Sequence, residues 1–311
     1  MKKVVITAAN SFIGKRLCLK LTEDNYFVYA VVRKGFKDFD MFRDMNNISV
    51  KQADMSEYDQ LPIIIEDSCD YGIALAWDGT RAEKRSNHDL QAANYNYSMS
   101  CVQSFIKMNC NTIMTAGSQA EYGPVRNEEK VKETDECHPN TEYGKFKLKF
   151  YEDASRLCRE NNVRIIEPRF FSLYGADDNP NTMIVSMTRN MLQNKKCELT
   201  QCIQLWDFLY IDDAINALKV LLESDSAEGV FNFGSGKSYQ LKYYVETMHK
   251  LLGSSSELIY GAVDYPPTGM VHTNPSIKKL TDEIGWHPQI SFEEGIEKVR
   301  AYQSHILSSD A

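Results

Sequence analysis

The stretch Thr7-Ala8-Ala9-Asn10-Ser11-Phe12-Ile13-Gly14, "TAANSFIG", decides the fold. It follows Lys3-Val4-Val5-Ile6, which has the composition of a short buried strand. It leads into Ile13, Leu17 and Leu21, apolar residues four apart with Lys15, Arg16 and Lys20 between them. That spacing is the signature of an amphipathic helix. Strand, tight turn and helix in this order is where a dinucleotide-binding sheet keeps its glycine-rich turn. The first glycine of such a turn makes the bend, the second admits the diphosphate and the third lets helix pack on strand. Only the third is glycine here. Aligned on Gly14, the other two positions are Ala8 and Ser11. Alanine adds one methyl group, and serine adds a hydroxyl that can donate to a diphosphate. The helix start keeps its free N–H groups and its positive dipole end. Taken alone, the stretch fits either a dinucleotide site with two glycines replaced or an ordinary strand-to-helix turn.

Outward from this turn the chain alternates strand and helix signals. Strands are expected at Val4–Ile6, Phe27–Val32, Ile48–Val50, Tyr71–Ala76, Thr112–Thr115 and Val163–Ile166, the last halted by Pro168, with a late strand at Val230–Phe233. Long helices are expected over about Asn87–Met108 and Tyr143–Asn161. Further ones are expected near Ile184–Gln193, Asp212–Ser224, Leu241–Leu252 and Phe292–Ser308, and Tyr265–Pro275 reads as a loop. Strands separated by helices imply a parallel sheet covered on both faces. The expected fold is α/β, a Rossmann-type doubly wound parallel sheet with a smaller C-terminal α/β substrate domain. Residues 1–170 with about 206–235 form the first unit, and about 171–205 with 236–311 the second. Ligands in such sheets bind at the carboxyl ends of the strands.

The 311 residues carry a net charge of -8, 43% hydrophobic and 25% charged residues. This is the composition of a soluble globular protein. The acidic balance argues against a nucleic-acid partner, which needs a basic face. No apolar stretch approaches the roughly 20 residues that span a bilayer. Met1-Lys2-Lys3 runs straight into a strand, unlike a signal peptide, so a cytoplasmic protein is expected. The eight cysteines form no C-x-x-C pair and read as free thiols.

Three residues suggest chemistry. "YGKFK" places Tyr143 and Lys147 four apart, one turn apart on the same face of a helix. A neighbouring ammonium favours the phenolate, which would lower the phenol pKa and let tyrosine exchange protons. "GSQAEYG", Gly117 to Gly123, puts Ser118 at the carboxyl end of the sheet, where its hydroxyl can hold a substrate oxygen beside Tyr143. At the end of the second strand Arg33 occupies the place where an acidic residue would take a ribose 2′-hydroxyl. An arginine there suits a 2′-phosphate, and Lys34 adds a second cation. If a cofactor binds, this favours NADP(H) over NAD(H).

Together these motifs resemble the extended short-chain dehydrogenase/reductase superfamily, in its NAD-dependent epimerase/dehydratase branch of nucleotide-sugar-modifying enzymes. "TAANSFIG" is similar to its TGATGFIG, "YGKFK" to its catalytic Y-x-x-x-K, "PRFFSLYG" (Pro168–Gly175) to R-x-x-N-x-Y-G and "WDFLYIDDA" (Trp206–Ala214) to R-D-F-x-Y-V-D-D. "FNFGSG" and "GWHPQISFEEGI" are similar to its late strand and C-terminal helix entry. The resemblance implies hydride exchange between a nicotinamide cofactor and a sugar carbon, with a nucleotide-diphosphate sugar as substrate. Ser118, Tyr143 and Lys147 would be catalytic, Tyr143 carrying the proton and Lys147 holding the nicotinamide ribose. The cofactor would contact Ala8, Ser11, Phe12, Ile13 and Gly14 in the turn, with Arg33 beside it and Asp54 and Met55 at the adenine. Leu75, Ala76, Asn94 and Phe170 would complete its site. Trp77, Gln119, Glu121 and Ser172 would face the substrate. A homodimer is implied, through a four-helix bundle of the two long helices in which Val102, Phe105 and Phe150 are apolar positions.

Departures from the pattern separate the reactions. Dehydratases of this branch carry Asp-Glu where this chain has Gln119-Ala120, and neither replacement can serve as acid or base in water elimination. Epimerases hold NAD tightly, whereas reductases consume an exchangeable NADPH, which Arg33 and the altered turn suit. "GSQAEYG" and "WDFLYIDDA" are most similar to 4-ketoreductases of the CDP-abequose synthase type. Reduction of a nucleotide-linked 4-keto-6-deoxy sugar is therefore the expectation, epimerisation the alternative, and a non-catalytic NADP-binding sensor a third. Ser172 and Trp206 replace an asparagine and an arginine of the family pattern. His138 reads as a loop histidine.

Overall fold

The computed structural model describes residues 1–265 and 269–309, so residues 266–268 of the expected loop at Tyr265–Pro275 lie outside the described residues. The central sheet is parallel. Its strands run from one edge in the order Gly229–Phe233, Arg164–Phe170, Thr112–Thr115, Tyr71–Ala74, Lys3–Thr7, Phe27–Val32 and Ile48–Gln52. The short Gly117–Ser118 strand pairs with Arg169 and Phe170. From Lys3–Thr7 the chain builds outward to one edge, then returns to build the other half from Tyr71–Ala74. That reversal leaves a crevice at the strand ends, where such sheets bind ligands.

Both faces are covered because successive side chains of a strand point to opposite sides. Val4, Ile6, Val28, Ala30, Val32, Ile73, Met114 and Ile166 join one apolar cluster, whereas Val5, Tyr29, Val31, Ala74, Ile113 and Ile165 join another. Helix Phe12–Glu23 and helix Ile211–Glu223 pack on the first face through Leu17, Leu21, Leu218 and Leu221. Helices His88–Lys107 and Glu142–Glu160 pack on the second through Val102, Phe105, Phe150 and Ala154. Val102, Phe105 and Phe150, the positions expected to serve a helix-bundle dimer, are thus buried against the chain's own sheet.

The strand expected to stop at Pro168 continues to Phe170. Proline lacks the N–H that a ladder needs, but it falls at a break. On that side Arg164–Ile166 pair with Thr112–Met114 and Arg169–Phe170 pair with Gly117–Ser118, with no partner opposite Glu167 and Pro168. The continuation carries Arg169 and Phe170 to the crevice. Beyond the sheet, Ser172–Tyr174 pairs with Phe208–Tyr210 and Cys197–Leu199 with Leu258–Tyr260. Helices Met183–Leu192, Leu241–Leu251 and Phe292–Ser309 complete this part, and Ile184, Met187, Val245 and Met248 share the first apolar cluster with Val4 and Ile6. Among the described residues no helix is long and apolar enough to cross a membrane.

Candidate active site

The opening turn divides the glycine roles among its substitutes. Ala8 takes the bend itself, at φ 50°, in the left-handed region that glycine enters freely and alanine at a cost of about 1 kcal/mol. Ser11 caps the helix, its Oγ accepting from the Gly14 N–H at 3.1 Å. Gly14 is irreplaceable: a Cβ there would lie 2.3 Å from the Ala8 carbonyl oxygen. Helix and strand therefore approach as closely as in a glycine-rich turn. At the end of this strand the Thr7 hydroxyl accepts from the Leu75 N–H at 3.1 Å, tying the two strands that border the crevice.

At the next strand ends, Arg33 is exposed and has no hydrogen bond or ion pair from its guanidinium among the described residues. Lys34 differs. It is ion-paired with Glu57, while its backbone N–H donates to Asp54 Oδ1 at 3.1 Å. Asp54 stays exposed, and Met55 packs against the second apolar cluster. Only Arg33 of the two expected cations remains free for a phosphate.

Helix Glu142–Glu160 starts on Thr141, whose Oγ1 accepts from the Gly144 N–H at 3.1 Å. A Cβ on Gly144 would stand 2.4 Å from the Ala120 carbonyl oxygen, so glycine lets this helix close on the Gln119–Glu121 turn. That contact brings Tyr143 beside Ser118. Tyr143 is 7% exposed, and burial raises its pKa, against the lowering influence of the Ser118 hydroxyl and the Arg85 guanidinium. The Glu121 and Glu167 carboxylates push in the same direction as burial. The expectation that Lys147 leaves a lowered phenol pKa is corrected: burial outweighs the neighbouring charges. Lys147 is itself buried, its pKa lowered to about 8 by loss of water. Its Nζ donates to the Ala116 carbonyl at 2.7 Å and lies 4.0 Å from the centre of the Trp77 ring.

Glu121 does not face the substrate. It is fully buried behind Ser118, with Oε1 accepting from the Ser118 N–H at 2.7 Å and Oε2 accepting from Arg169 Nε at 2.7 Å. Arg169 also reaches Glu167 at 3.2 Å. Two carboxylates thus share one guanidinium. Glu167, dehydrated and next to Glu121, is raised well above the ordinary carboxylate range. Glu121 turns inward because the buried Arg169 guanidinium is there to pair with it.

The third wall is the loop after Tyr71–Ala74. Asn94 and Gln91, three apart on helix His88–Lys107, hold it from below. Asn94 Nδ2 donates to the Asp78 carbonyl at 2.8 Å and its Oδ1 accepts from the Asp78 N–H. Gln91 accepts from Trp77 Nε1 at 2.7 Å and donates to the carbonyls of Gly79 and Lys84. Asn94 is therefore occupied in holding the loop. Trp77 meets Tyr143 edge-on, with centroids 6.3 Å apart.

These elements enclose a cleft of about 290 Å³ lined by Phe12, Ile13, Leu75, Trp77, Thr80, Arg81, Ala116, Gly117, Ser118, Tyr143, Lys147, Phe170, Phe171, Leu173 and Asp178. A second cavity of about 330 Å³ shares Arg81, Phe171, Leu173 and Asp178 with it and adds Ser172, Asn181, Thr182 and Trp206. Of the expected substrate residues, Trp77 lines the first cavity and Ser172 the second, while Gln119 is half-buried on its turn outside both walls. Ala76 packs against the second apolar cluster. His138 is exposed in its loop, near Glu136. The loop 175–182 is tied back by Asp177, which pairs with Lys15 and Arg16, and this leaves Asp178 buried opposite Arg81 at 3.5 Å. Thr7, Arg81, Arg85, Gln91 and Asp178 were not found from the sequence. A visible signal was the pair of arginines in "RAEKRS", residues 81–86, in the loop that follows strand Tyr71–Ala74 at the crevice.

A model of the NAD dependent epimerase/dehydratase family matches residues 4–234. The chain belongs to that family. It is 24% identical to dTDP-4-dehydro-6-deoxyglucose reductase of Escherichia coli, over 95% of this chain and 96% of that protein. It is 33% identical to CDP-abequose synthase of Salmonella muenchen over 141 residues, 44% of this chain and 47% of that protein, so this match spans under half the relative's length. The UDP-glucose 4-epimerase of Thermotoga maritima, solved with UDP-glucose, superposes with a TM-score of 0.85 at 20% identity, over 98% of this chain and 99% of that one. The likeness is one of fold. The residues at the crevice suit the family's dinucleotide: the Gly14 cradle that a Cβ would fill, the capped helix start and the unpaired Arg33.

Proposed function

We propose that the protein is a 4-ketoreductase that uses NADPH to reduce a nucleotide-linked 4-keto-6-deoxy sugar. The observation that carries this reading is the meeting of Ser118, Tyr143 and Lys147 in one cleft at the sheet's reversal, with the phenol held protonated by burial. A reductase needs a proton donor, and a buried neutral phenol is one. The bound dinucleotide would supply the hydride. Ser118 would hold the sugar oxygen, Tyr143 would deliver its proton to that oxygen, and Lys147 would bind the cofactor ribose after exchanging its Ala116 contact. Ala8, Ser11, Phe12, Ile13 and Gly14 would cradle the diphosphate, with Asp54 and Met55 near the adenine. Ala120 is buried and aliphatic where elimination needs a carboxyl acid, which speaks against dehydration. The relatives named as a reductase and as CDP-abequose synthase support the substrate class.

Arg33 would select NADPH by its 2′-phosphate. Fluorescence titration should therefore find NADPH bound more tightly than NADH, with a loss on the order of tenfold for NADPH alone in Arg33→Ala. Tyr143→Phe should lower kcat on a nucleotide-linked 4-keto-6-deoxy sugar by about 10²–10⁴-fold while keeping that binding. NAD carried through purification, with turnover of a 4-hydroxy sugar and no net use of cofactor, would replace this reading with epimerisation. Unchanged turnover in Tyr143→Phe would end both.

A further inference from the structure

Arg85 stands apart from the other cations near the site. Its guanidinium lies 4.9 Å from the centre of the Tyr143 ring. It forms no ion pair with any described residue, and its buried Nε has no hydrogen-bond partner. The turn that carries it, Ala82–Ser86, is pinned. The Lys84 carbonyl accepts from Gln91 Nε2 at 2.9 Å and from the Asn87 N–H at 3.2 Å, and Asn87 caps the following helix. Lys147, by contrast, is occupied by the Ala116 carbonyl and the Trp77 ring. A half-buried guanidinium would ordinarily take a carboxylate, but the two carboxylates that act on Tyr143, Glu121 and Glu167, are committed to Arg169. A fixed, unpaired cation on the face of a phenol attracts the ring electrostatically, and attracts it more once the ring is charged.

We propose that Arg85 is a second electrostatic partner of Tyr143, holding the phenolate that remains when Tyr143 gives its proton to the substrate oxygen. The O–H bond of Tyr143 breaks, the proton goes to the oxygen of the reduced carbonyl, and the electron pair stays on the phenolate beside Arg85. No other reactant is needed for this proton step. The charged or titratable groups that act on the phenol are Arg85 from the loop turn, Glu121 from the strand-end turn and Glu167 from strand Arg164–Phe170, with the Ser118 hydroxyl adjoining and Lys147 of its own helix lining the same cleft. The two carboxylates disfavour the phenolate, so a cation with no competing partner is what the site needs. The inference rests on Tyr143 as proton donor, but its test does not need turnover.

Tyr143 is replaced by 3,5-difluorotyrosine through codon suppression in the full chain. The fluorines acidify the phenol and bring its titration inside the folded range, and 19F NMR reads that residue alone. In Arg85→Gln the ionised fraction at a fixed pH below the midpoint should fall roughly three- to tenfold. In Arg85→Lys most of it should return. Lys84→Gln, which removes an exposed cation one residue away, should leave the curve in place. Arg85→Met replaces Arg85→Gln if the latter fails to give the native circular dichroism spectrum. Coincident curves for wild type and Arg85→Gln overturn the proposal, as does an equal shift in Lys84→Gln. Failure of the reductase reading is seen separately, as absence of sugar turnover in a wild-type protein whose titration still responds to Arg85.

Discussion

Lys34, Glu57 and Asp54 at the outer strand ends and Arg169, Glu121 and Glu167 behind Ser118 are the same chemistry at two depths. Each set has one cation and two carboxylates. The Lys34 and Glu57 side chains are 55% and 34% exposed, whereas those of Arg169, Glu121 and Glu167 are 4%, 0% and 1% exposed. Water screens the first set, and an exposed pair of this kind is worth about 0–1 kcal/mol. The second set has lost its water, and its members depend on one another. The outer set leaves Arg33 free to meet a ligand. The inner set fixes the Ser118 amide and leaves nothing free. Depth, rather than residue type, separates an exposed, screened set from a buried, interdependent one.

The comparison breaks first at Arg169. Arg169→Met would leave two carboxylates buried without their shared cation, and urea unfolding at pH 7 should show a loss of about 3–5 kcal/mol. Lys34→Ala should lose under about 1 kcal/mol in the same assay. Converting Glu121 and Glu167 to leucine in the Arg169→Met background should recover most of the loss, because well-packed apolar groups can replace a buried ion cluster. Equal losses in Arg169→Met and Lys34→Ala would show that depth is not what separates the two sets.

Lys147 gives the next effect in size. Its folded value, about 8, lies below the ordinary 10.5, because burial disfavours the ammonium. The unfolded chain therefore holds more protons than the folded one between these values, and stability from this group rises with pH across that window. Below pH 8 the penalty is fully present, on the order of 3 kcal/mol. The difference in unfolding free energy between wild type and Lys147→Met should shift in favour of wild type as pH goes from 7 to 10. A flat difference would mean that the carboxylates behind Ser118 already compensate the ammonium. An exposed lysine such as Lys84 should show no such trend in Lys84→Met.

What could be read from the sequence divides along the same line. The strand-turn-helix at Lys3–Glu23 was legible because apolar period and Gly14 are local signals. Tyr143 and Lys147 were legible because a spacing of four on a helix fixes a shared face. The direction in which the Tyr143 phenol moves was not legible, since burial is a property of the whole cleft. Glu121 was misread for the same reason: only the register of Arg164–Phe170 against Gly117–Ser118 puts Arg169 next to it. Pro168 looked like a terminator because a break in the neighbouring ladder is invisible in one strand's sequence. Val102, Phe105 and Phe150 were legible as apolar helix positions, yet an apolar position does not say which neighbour it meets.

The smallest effect lies in the opening turn. Ala8 sits at φ 50°, where a Cβ crowds the backbone and glycine would not. Ala8→Gly should relieve about 1 kcal/mol of that strain, while the unfolded chain gains about 0.4–1 kcal/mol of freedom from the added glycine. The net stability change should fall between about 0 and 0.6 kcal/mol in favour of the variant. The effect on the ligand should be clearer than the effect on the fold. If the Ala8 methyl group faces the diphosphate, Ala8→Gly tightens NADPH severalfold and Arg33→Ala weakens it, which would place both residues around one ligand. If NADPH affinity does not change, the Ala8 methyl group points away from the diphosphate and the turn needs only Gly14 to work. Gly14→Ala is the control for that outcome, since its Cβ would meet the Ala8 carbonyl oxygen at 2.3 Å and force helix from strand.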